Sequence, residues 1–481
     1  MEIKDLIINQ KCDLRKALKV LDTVGQGILF VTENNEKLVG VITDGDIRRS
    51  LLLDVNLDVE ISEIMNKNFL SLSIDTDNTE ILHHINNKIK VIPLVDEEGR
   101  VVDYASINRL RRISICSPLL EGNELLYLTE CIKTNWISSQ GKYVRSFESL
   151  FKNYHENFDA LAVSNGTVAI HLALDALGIG EGDEVIVPNL TFAASINAII
   201  YTGATPVLVD VEKDSFNIDF DKVERFITNK TKAIMPVHLY GQSCDMGKLA
   251  LLVEKYNLLV VEDCAEALGS KYDGRPVGVF GDAATFSFFG NKTITTGEGG
   301  MVLFKDPIVA EKAAVLRDHG MSKEKRYWHD FVGYNYRLTN LQAAIGVAQF
   351  ERLDEFVNAK RNLAKIYNET LNKFPFFQTP IQKENTFNSY WLYTFLIGEN
   401  APFKREDLMS FLNNKGIETR PVFYPLHIMP PYIAYGEKEN LEVSSKISES
   451  GMSLPSSVNL SEAEINYICS CISDFIGGIN G

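Results

Sequence analysis

The spacing of apolar residues divides the chain into a duplicated N-terminal stretch and a longer alternating one. Residues 1–118 carry one coarse order twice: helix, helix, strand, acidic turn, strand, helix. In the first copy Asp13–Leu21 has a helical period, Gly27–Val31 reads as a strand and Glu33–Glu36 as a turn. Leu38–Thr43 is the partner strand, and a helix follows from Asp46. The second copy runs from Ile61–Met65 through the strand Val91–Val95 and the turn Asp96–Gly99 to Val101–Arg109. A repeat of this kind buries a face shared by its two halves.

Ile115–Asn123, with Pro118 and Gly122 and no sustained period, reads as the linker. Glu124–Lys133 and Arg145–Tyr154 are helical in period, with an irregular loop, Asn135–Gly141, between them. From Ala160 strands alternate with helices, which predicts an α/β domain with a largely parallel sheet. Its strands are expected at Ala160–Val163, Glu184–Val187, Val207–Val211, Ala233–Val237, Leu258–Val261, Ala284–Phe289 and Met301–Phe304. Helices are expected at Thr167–Leu177, Ala193–Tyr201, Phe220–Ile227 and Met246–Tyr256, and Leu338–Phe356 as one long helix ending this domain. Phe387–Leu396 as strand and Arg405–Lys415 as helix suggest a smaller α+β domain. The expected division is therefore 1–118, 119–357 and 358–481.

Chemistry concentrates in Phe280–Gly300, FGDAATFSFFGNKTITTGEGG. One lysine, Lys292, lies in a polar, glycine-bearing loop between two apolar runs. Partial desolvation there lowers an amine's pKa and makes it a usable nucleophile. Leu258–Ala265, LLVVEDCA, ends a strand on Glu262 and Asp263. A Schiff-base lysine and a carboxylate facing a pyridinium nitrogen are what pyridoxal phosphate most needs from a protein.

Ordered segments across three quarters of the chain resemble the sugar-nucleotide aminotransferases of the DegT/StrS type. They are Asn135–Glu148 (NWISSQGKYVRSFE), Ser164–Leu174 (SNGTVAIHLAL), Asp183–Ala194 (DEVIVPNLTFAA), Pro236–Gln242 (PVHLYGQ), Glu262–Gly269 (EDCAEALG), Ser287–Gly300 (SFFGNKTITTGEGG), Arg326–Gly346 and Thr419–Pro430. Within that group the likeness is greatest to the GDP-perosamine synthases. The resemblance implies the fold type I architecture of pyridoxal 5'-phosphate (PLP) enzymes: a large mixed-sheet α/β domain and a small α+β domain.

It also implies roles. Lys292 would be the Schiff-base and proton-transfer residue and Asp263 the partner of the ring nitrogen. Glu266 would lie near the ring hydroxyl or the sugar. Gly166 and Thr167, opening a helix, and Ser287 would hold the cofactor phosphate. Phe192 would stack on the ring, and Gln242 would either meet the ring hydroxyl or fix its own loop. Asn335 would reach the phosphate of a partner subunit, making a homodimer with shared active sites. Trp136, Arg337, Arg420 and His427 would line the nucleotide-sugar pocket. The N-terminal duplication resembles a tandem CBS module, which implies an adenosine nucleotide on Thr43 and Asp46 of Gly40–Asp46 (GVITDGD). In the second copy Asp103 and Ser106 take the corresponding places, which leaves that site open to being empty, and a purely structural module stays an alternative.

Composition sets limits. The chain has 481 residues, 45 % of them hydrophobic and 23 % charged, as in ordinary multidomain globular proteins. A net charge of -16 argues against a nucleic-acid partner. The seven cysteines show no metal or disulfide spacing, and Cys469 and Cys471 fall in a helical stretch where residues two apart do not face each other. The N-terminus MEIKDLIINQ has no signal-peptide pattern, and no apolar run approaches the roughly 18–20 residues of a membrane span, so a cytoplasmic location is expected. The eight histidines form no HxH or HExxH pattern, so no metal is expected.

The expected reaction moves the amino group of L-glutamate to C4 of a nucleotide-linked 4-keto-6-deoxy sugar, first choice GDP-4-keto-6-deoxy-mannose. The alternatives are a UDP-4-keto-6-deoxy-N-acetylhexosamine and, separately, a non-catalytic CBS-regulated member of the family. A dehydratase on this scaffold replaces the lysine by histidine, and position 292 is lysine.

Overall fold

The computed structural model describes residues 3–33, 37–76, 78–86, 88–106, 113–436 and 440–480. The expected turn at 34–36 and the 107–109 end of the last repeat strand lie outside the described residues. The chain divides into two compact units. One is residues 1–113 with the short segments 410–417 and 470–474, and the other is the remainder.

In the first unit each copy forms a three-stranded sheet of one design. A leading strand pairs parallel with the middle strand, which pairs antiparallel with the third. The strands are Ile7–Asn9, Ile28–Glu33 and Lys37–Thr43, then Leu72–Ser73, Val91–Val95 and Val101–Ser106. The expected order omitted both leading strands, because runs of three and two residues show no alternation. The helix Leu14–Val24 starts where Asp13 accepts the Lys16 N–H at 2.7 Å and ends at Gly25, which turns left-handed at φ 65°. The copies share a core in which the Phe30 and Tyr104 rings lie 6.1 Å apart.

The second unit is built on a seven-stranded sheet. Its strands and helices in chain order are β1 (Asp159–Val163), α1 (Gly166–Ala176), β2 (Glu184–Pro188), α2 (Ala193–Tyr201), β3 (Thr205–Val209), β4 (Thr231–Ile234), α3 (Met246–Tyr256), β5 (Leu259–Asp263), β6 (Ala283–Ser287) and β7 (Gly300–Phe304). The spatial order is β1-β7-β6-β5-β4-β2-β3, parallel except that β7 runs antiparallel to both neighbours. These strands are near-continuous buried runs, as a sheet covered on both faces requires. β5 sits at the centre, so the loops leaving β5, β6, β4 and β2 converge where open α/β sheets collect ligands. A four-stranded antiparallel sheet follows, in the order Phe377–Gln378, Tyr393–Ile397, Gly451–Leu454, Arg420–Pro421.

Three expectations need correction. The expected helix Leu338–Phe356 is two, α4 (Asn340–Phe350) and α5 (Leu353–Leu371). No proline or glycine marks the break. It falls where side chains are drawn to distant segments: Gln349 Nε2 donates to the Leu119 carbonyl and to Glu124, and Glu351 accepts from Asn123 and Tyr127. The expected strand Phe387–Leu396 is interrupted, because Tyr390 turns left-handed at φ 49°; only Thr386–Phe387 and Tyr393–Ile397 are extended. Phe220–Ile227 begins as a helix but tightens to a 3₁₀ turn after Val223.

Candidate active site

β5 brings two acidic groups to the centre of the sheet, and the turn after it brings a third. Glu262, fully buried, accepts the N–H groups of Gly278, Phe280 and Gly281, each at 2.8 Å, and His238 Nε2–H at 3.1 Å. His238 Nδ1 accepts the Cys244 N–H at 3.0 Å, which fixes this tautomer. Glu262 thus pins the loop ahead of β6. His238, Glu262 and Cys264 lie close enough to hold an ion, yet the imidazole and the carboxylate are committed to this network.

Asp263, the last residue of β5, accepts the Ser195 hydroxyl at 2.7 Å and the Ala265 N–H at 3.1 Å. Burial raises its pKa; those two donors and the positive charge of Lys292 oppose the rise. Glu266 accepts the Tyr240 N–H at 3.0 Å and faces Lys292 Nζ at 3.8 Å. Burial pushes its carboxyl up to about 7, against the pull of Lys292 and the Tyr240 N–H.

Lys292 has 13 % of its side chain exposed. Burial lowers its pKa, and Glu266 and Asp263 hold it up. Its ammonium lies 3.8 Å from the centre of the Trp391 ring, whose indole N–H donates to the Asn291 carbonyl at 2.7 Å. Trp391 stacks on Tyr240 (6.0 Å, 9°), Tyr240 on Phe423 (5.5 Å, 19°), and Phe423 meets Phe192 at 5.9 Å. Phe192, 59 % exposed, is the residue that leads into α2, whose Ser195 holds Asp263.

An anion cradle lies beside this group. Asn165 caps α1 by accepting the Val168 N–H at 3.0 Å, and its carbonyl takes that of Ala169, so the N–H groups of Gly166 and Thr167 point out of the first turn. A Cβ at Gly166 would stand 2.9 Å from Ser287 Cβ, so glycine lets the end of β6 press against the helix start.

The other expected residues each have partners of their own. Gln242 is buried and donates to Thr386 and the Ser243 carbonyl while accepting from Asn388, which favours the loop-fixing alternative. His427 is held by Asn189, whose Oδ1 accepts its N–H at 3.0 Å. Arg337 pairs with Asp318 at 2.8 Å and donates to Asn335 at 3.3 Å. Arg420 leans on Glu418 at 3.4 Å, and Trp136, 55 % exposed, lines a 280 Å³ pocket with Glu130, Arg145 and Asn340. Thr43 and Asp46 form a reciprocal helix cap: the threonine hydroxyl donates to Asp46 Oδ2 at 2.7 Å and accepts the Asp46 N–H at 3.2 Å. In the second copy, Asp103 accepts the Tyr104 N–H at 2.9 Å, and Ser106 is buried.

Sequence reasoning missed Ser195, Tyr240, Trp391 and Asn189. Serine, tyrosine and tryptophan at those positions read as ordinary core or turn residues, since no spacing ties them to Lys292.

A largely buried lysine on an aromatic face, a buried carboxylate at the end of a central strand and a glycine-lined helix start fit PLP, and together with the fold they define a PLP-dependent transferase of fold type I. The chain belongs to the DegT/DnrJ/EryC1/StrS aminotransferase family, whose model matches residues 118–473. The CBS domain model matches residues 2–53 and 61–115. A protein named GDP-perosamine synthase from Vibrio cholerae is 47 % identical over 76 % of this chain and 100 % of its own length. One of the same name from Escherichia coli O157:H7 is 48 % identical over 76 % of this chain and 99 % of its own. The PLP form of the putative sugar aminotransferase Spr1654 from Streptococcus pneumoniae is 28 % identical, with a TM-score of 0.72 over 76 % of this chain and 99 % of that one. The chain is a PLP-dependent sugar-nucleotide aminotransferase. Among the described residues no helix is long and apolar enough to cross a membrane.

Glu266 yields a test of the electrostatics. A carboxyl raised from 4.5 to about 7 on folding contributes stability that is complete below pH 4.5 and lost as pH rises through about 7. Glu266→Gln carries no such penalty and gains on the wild type across that window, by on the order of 3 kcal/mol. Thermal unfolding of the cofactor-free proteins from pH 4.5 to 8 measures this; parallel curves refute it.

Proposed function

We propose that this enzyme moves the amino group of L-glutamate to C4 of GDP-4-keto-6-deoxy-mannose, yielding GDP-perosamine. The end-to-end likeness to two proteins named GDP-perosamine synthase carries the reading. PLP, when bound, supplies the electron sink for the carbanion beside the transferred nitrogen. Lys292 binds the cofactor aldehyde, and its Nζ takes a proton from the α-carbon of glutamate and later gives one to C4 of the sugar. Asp263 would hold the ring nitrogen protonated, facing it with a carboxyl that burial raises and Ser195, Ala265 and Lys292 pull down. Gly166, Thr167 and Ser287 hold the phosphate, Phe192 covers the ring, and Glu266 serves the ring hydroxyl or the sugar.

The sites are shared in a homodimer, with Asn335 reaching the phosphate of the partner and Trp136, Arg337, Arg420 and His427 lining the nucleotide-sugar pocket. Exposed Leu125, Leu126, Ile132, Trp136 and Ile137 support such an interface. The division at 118 and 357, the cytoplasmic location and an adenosine nucleotide on Thr43 and Asp46 belong to the same proposal.

The purified enzyme is expected to be yellow, with a visible band absent from Lys292→Ala and turnover reduced at least a thousandfold. Asp263→Ala is expected to retain some cofactor but lose most of kcat, because its charge acts on the transition state. Glutamate-driven turnover undiminished in Lys292→Ala refutes the assignment.

For the substrate, kcat/KM is compared for GDP-4-keto-6-deoxy-mannose and the UDP acetamido keto-sugar at one glutamate concentration, with the amine located by NMR. The GDP sugar is expected to win by at least tenfold, since a pocket built for a C2 hydroxyl leaves a polar group unpaired against an acetamido group. Preference for the UDP sugar, or an amine at C3, overturns the substrate. Calorimetric titration with AMP, ADP and ATP tests the N-terminal module: heat lost in Asp46→Ala is expected, and no heat with any of the three leaves only a structural role.

A further inference from the structure

α5 carries a lysine where a surface residue is the usual choice. Lys360 is 1 % exposed. Its ammonium donates to the Ser456 carbonyl at 2.6 Å and the Trp391 carbonyl at 3.0 Å, and lies 3.7 Å from Cys116 Sγ. Among the described residues none of its hydrogen-bond partners is a carboxylate. A buried cation held by two carbonyls and a thiol stabilises a fold poorly compared with an apolar side chain of the same volume. What it does fix is the backbone on which Trp391 stands. Tyr390 has already turned that backbone left-handed, so no strand pairing secures it. The indole then grips the catalytic loop twice, through its N–H to the Asn291 carbonyl at 2.7 Å and through its face to Lys292 Nζ at 3.8 Å.

The same ammonium reaches the segment joining the two matched regions of the chain. The Ser456 N–H donates to the Ile115 carbonyl at 2.7 Å, the Ser117 N–H to Ser457 Oγ at 2.7 Å, and the Ile115 N–H to Glu418 at 3.1 Å. Lys360 therefore ties three stretches at one point: residues 115–117, residues 456–457 and Trp391.

We propose that Lys360 is a positioning residue, which holds Trp391 in register with Lys292 and so sets where the Lys292 amine stands. This rests on Lys292 being the residue that binds PLP. Besides Trp391, the groups acting on Lys292 are Glu266, Asp263 and Cys116, and of these Lys360 itself touches Cys116.

The experiment titrates the visible band of the PLP-loaded full-length enzyme with pH and measures kcat and KM, in wild type, Lys360→Met, Lys360→Arg, Trp391→Phe and the Met/Phe double variant. Lys360→Met is expected to move the band midpoint by at least half a pH unit and to lower kcat at least tenfold, with KM for the keto-sugar within twofold. Trp391→Phe is expected to move the midpoint in the same direction. The double variant is expected to go no further than the larger single effect, because both act through one ring. Lys360→Arg, keeping charge and donors, is expected to restore more than half of the lost kcat. A wild-type midpoint in Lys360→Met, or additive effects in the double variant, overturns the inference. If Lys360→Met does not fold, a wild-type midpoint in Trp391→Phe overturns it equally. A wild-type enzyme with no band sensitive to Lys292→Ala removes the function reading and this inference together, whereas a normal band with unmoved midpoints removes this inference alone.

Discussion

Burial of ionisable groups at the C-terminal end of β5 is the constraint on which the rest of the second unit depends. Asp263, Glu266 and Lys292 are drawn out of water together, and burial is the largest influence on each: it raises both acids and lowers the amine. Their mutual attraction only partly restores the charged forms. The surroundings must therefore supply donors, and they do so from three separate segments. Ser195 and the Ala265 N–H serve Asp263, and the Tyr240 N–H serves Glu266. Glu262 shows the opposite solution, since four donors saturate its carboxylate and leave it to hold a loop.

That electrostatic arrangement works only if its parts stay in place, and aromatic packing provides the rigidity. Phe192, Phe423, Tyr240 and Trp391 form a run of ring contacts drawn from four separate segments of the unit. Tyr240 stands in a left-handed turn with Gly241 behind it, where a Cβ would come within 2.6 Å of the Tyr390 nitrogen. Asn189 fastens the Leu426–His427 turn to the end of β2, and its amide also donates to Ser444 at 2.6 Å. Rigid placement of charged groups in a water-poor site is what makes them effective toward developing charge.

The family and the CBS module occupy separate, nearly adjoining stretches of sequence, 118–473 and 2–115. The first unit has its own core around Phe30, Leu29 and Ile42 and its own capped helices, so its fold follows from local pattern and internal duplication. Thr43 and Asp46 illustrate how a motif serves structure before ligand: the pair that could meet a nucleotide already closes a helix.

Much of this was legible in the sequence. Alternation of strand and helix gave the parallel sheet, because both-face burial demands near-continuous apolar runs at strand positions. Family motifs brought out Lys292, Asp263, Glu266, Ser287 and Phe192 as site candidates, because their local sequences are distinctive. Neither the leading strands of the repeats nor the break between α4 and α5 could be read. A strand of two residues has no period, and a helix broken by remote side-chain contacts contains no local breaker. The surroundings of the site were equally hidden. Trp391, Tyr240, Ser195 and Lys360 become neighbours of the reacting groups only when the chain closes on itself. Sequence by itself determined which residues carry reactive groups, since that chemistry is intrinsic to the side chain. Tertiary structure alone decided how deeply those groups are buried and what faces them, because desolvation and hydrogen bonding depend on segments far apart in the chain.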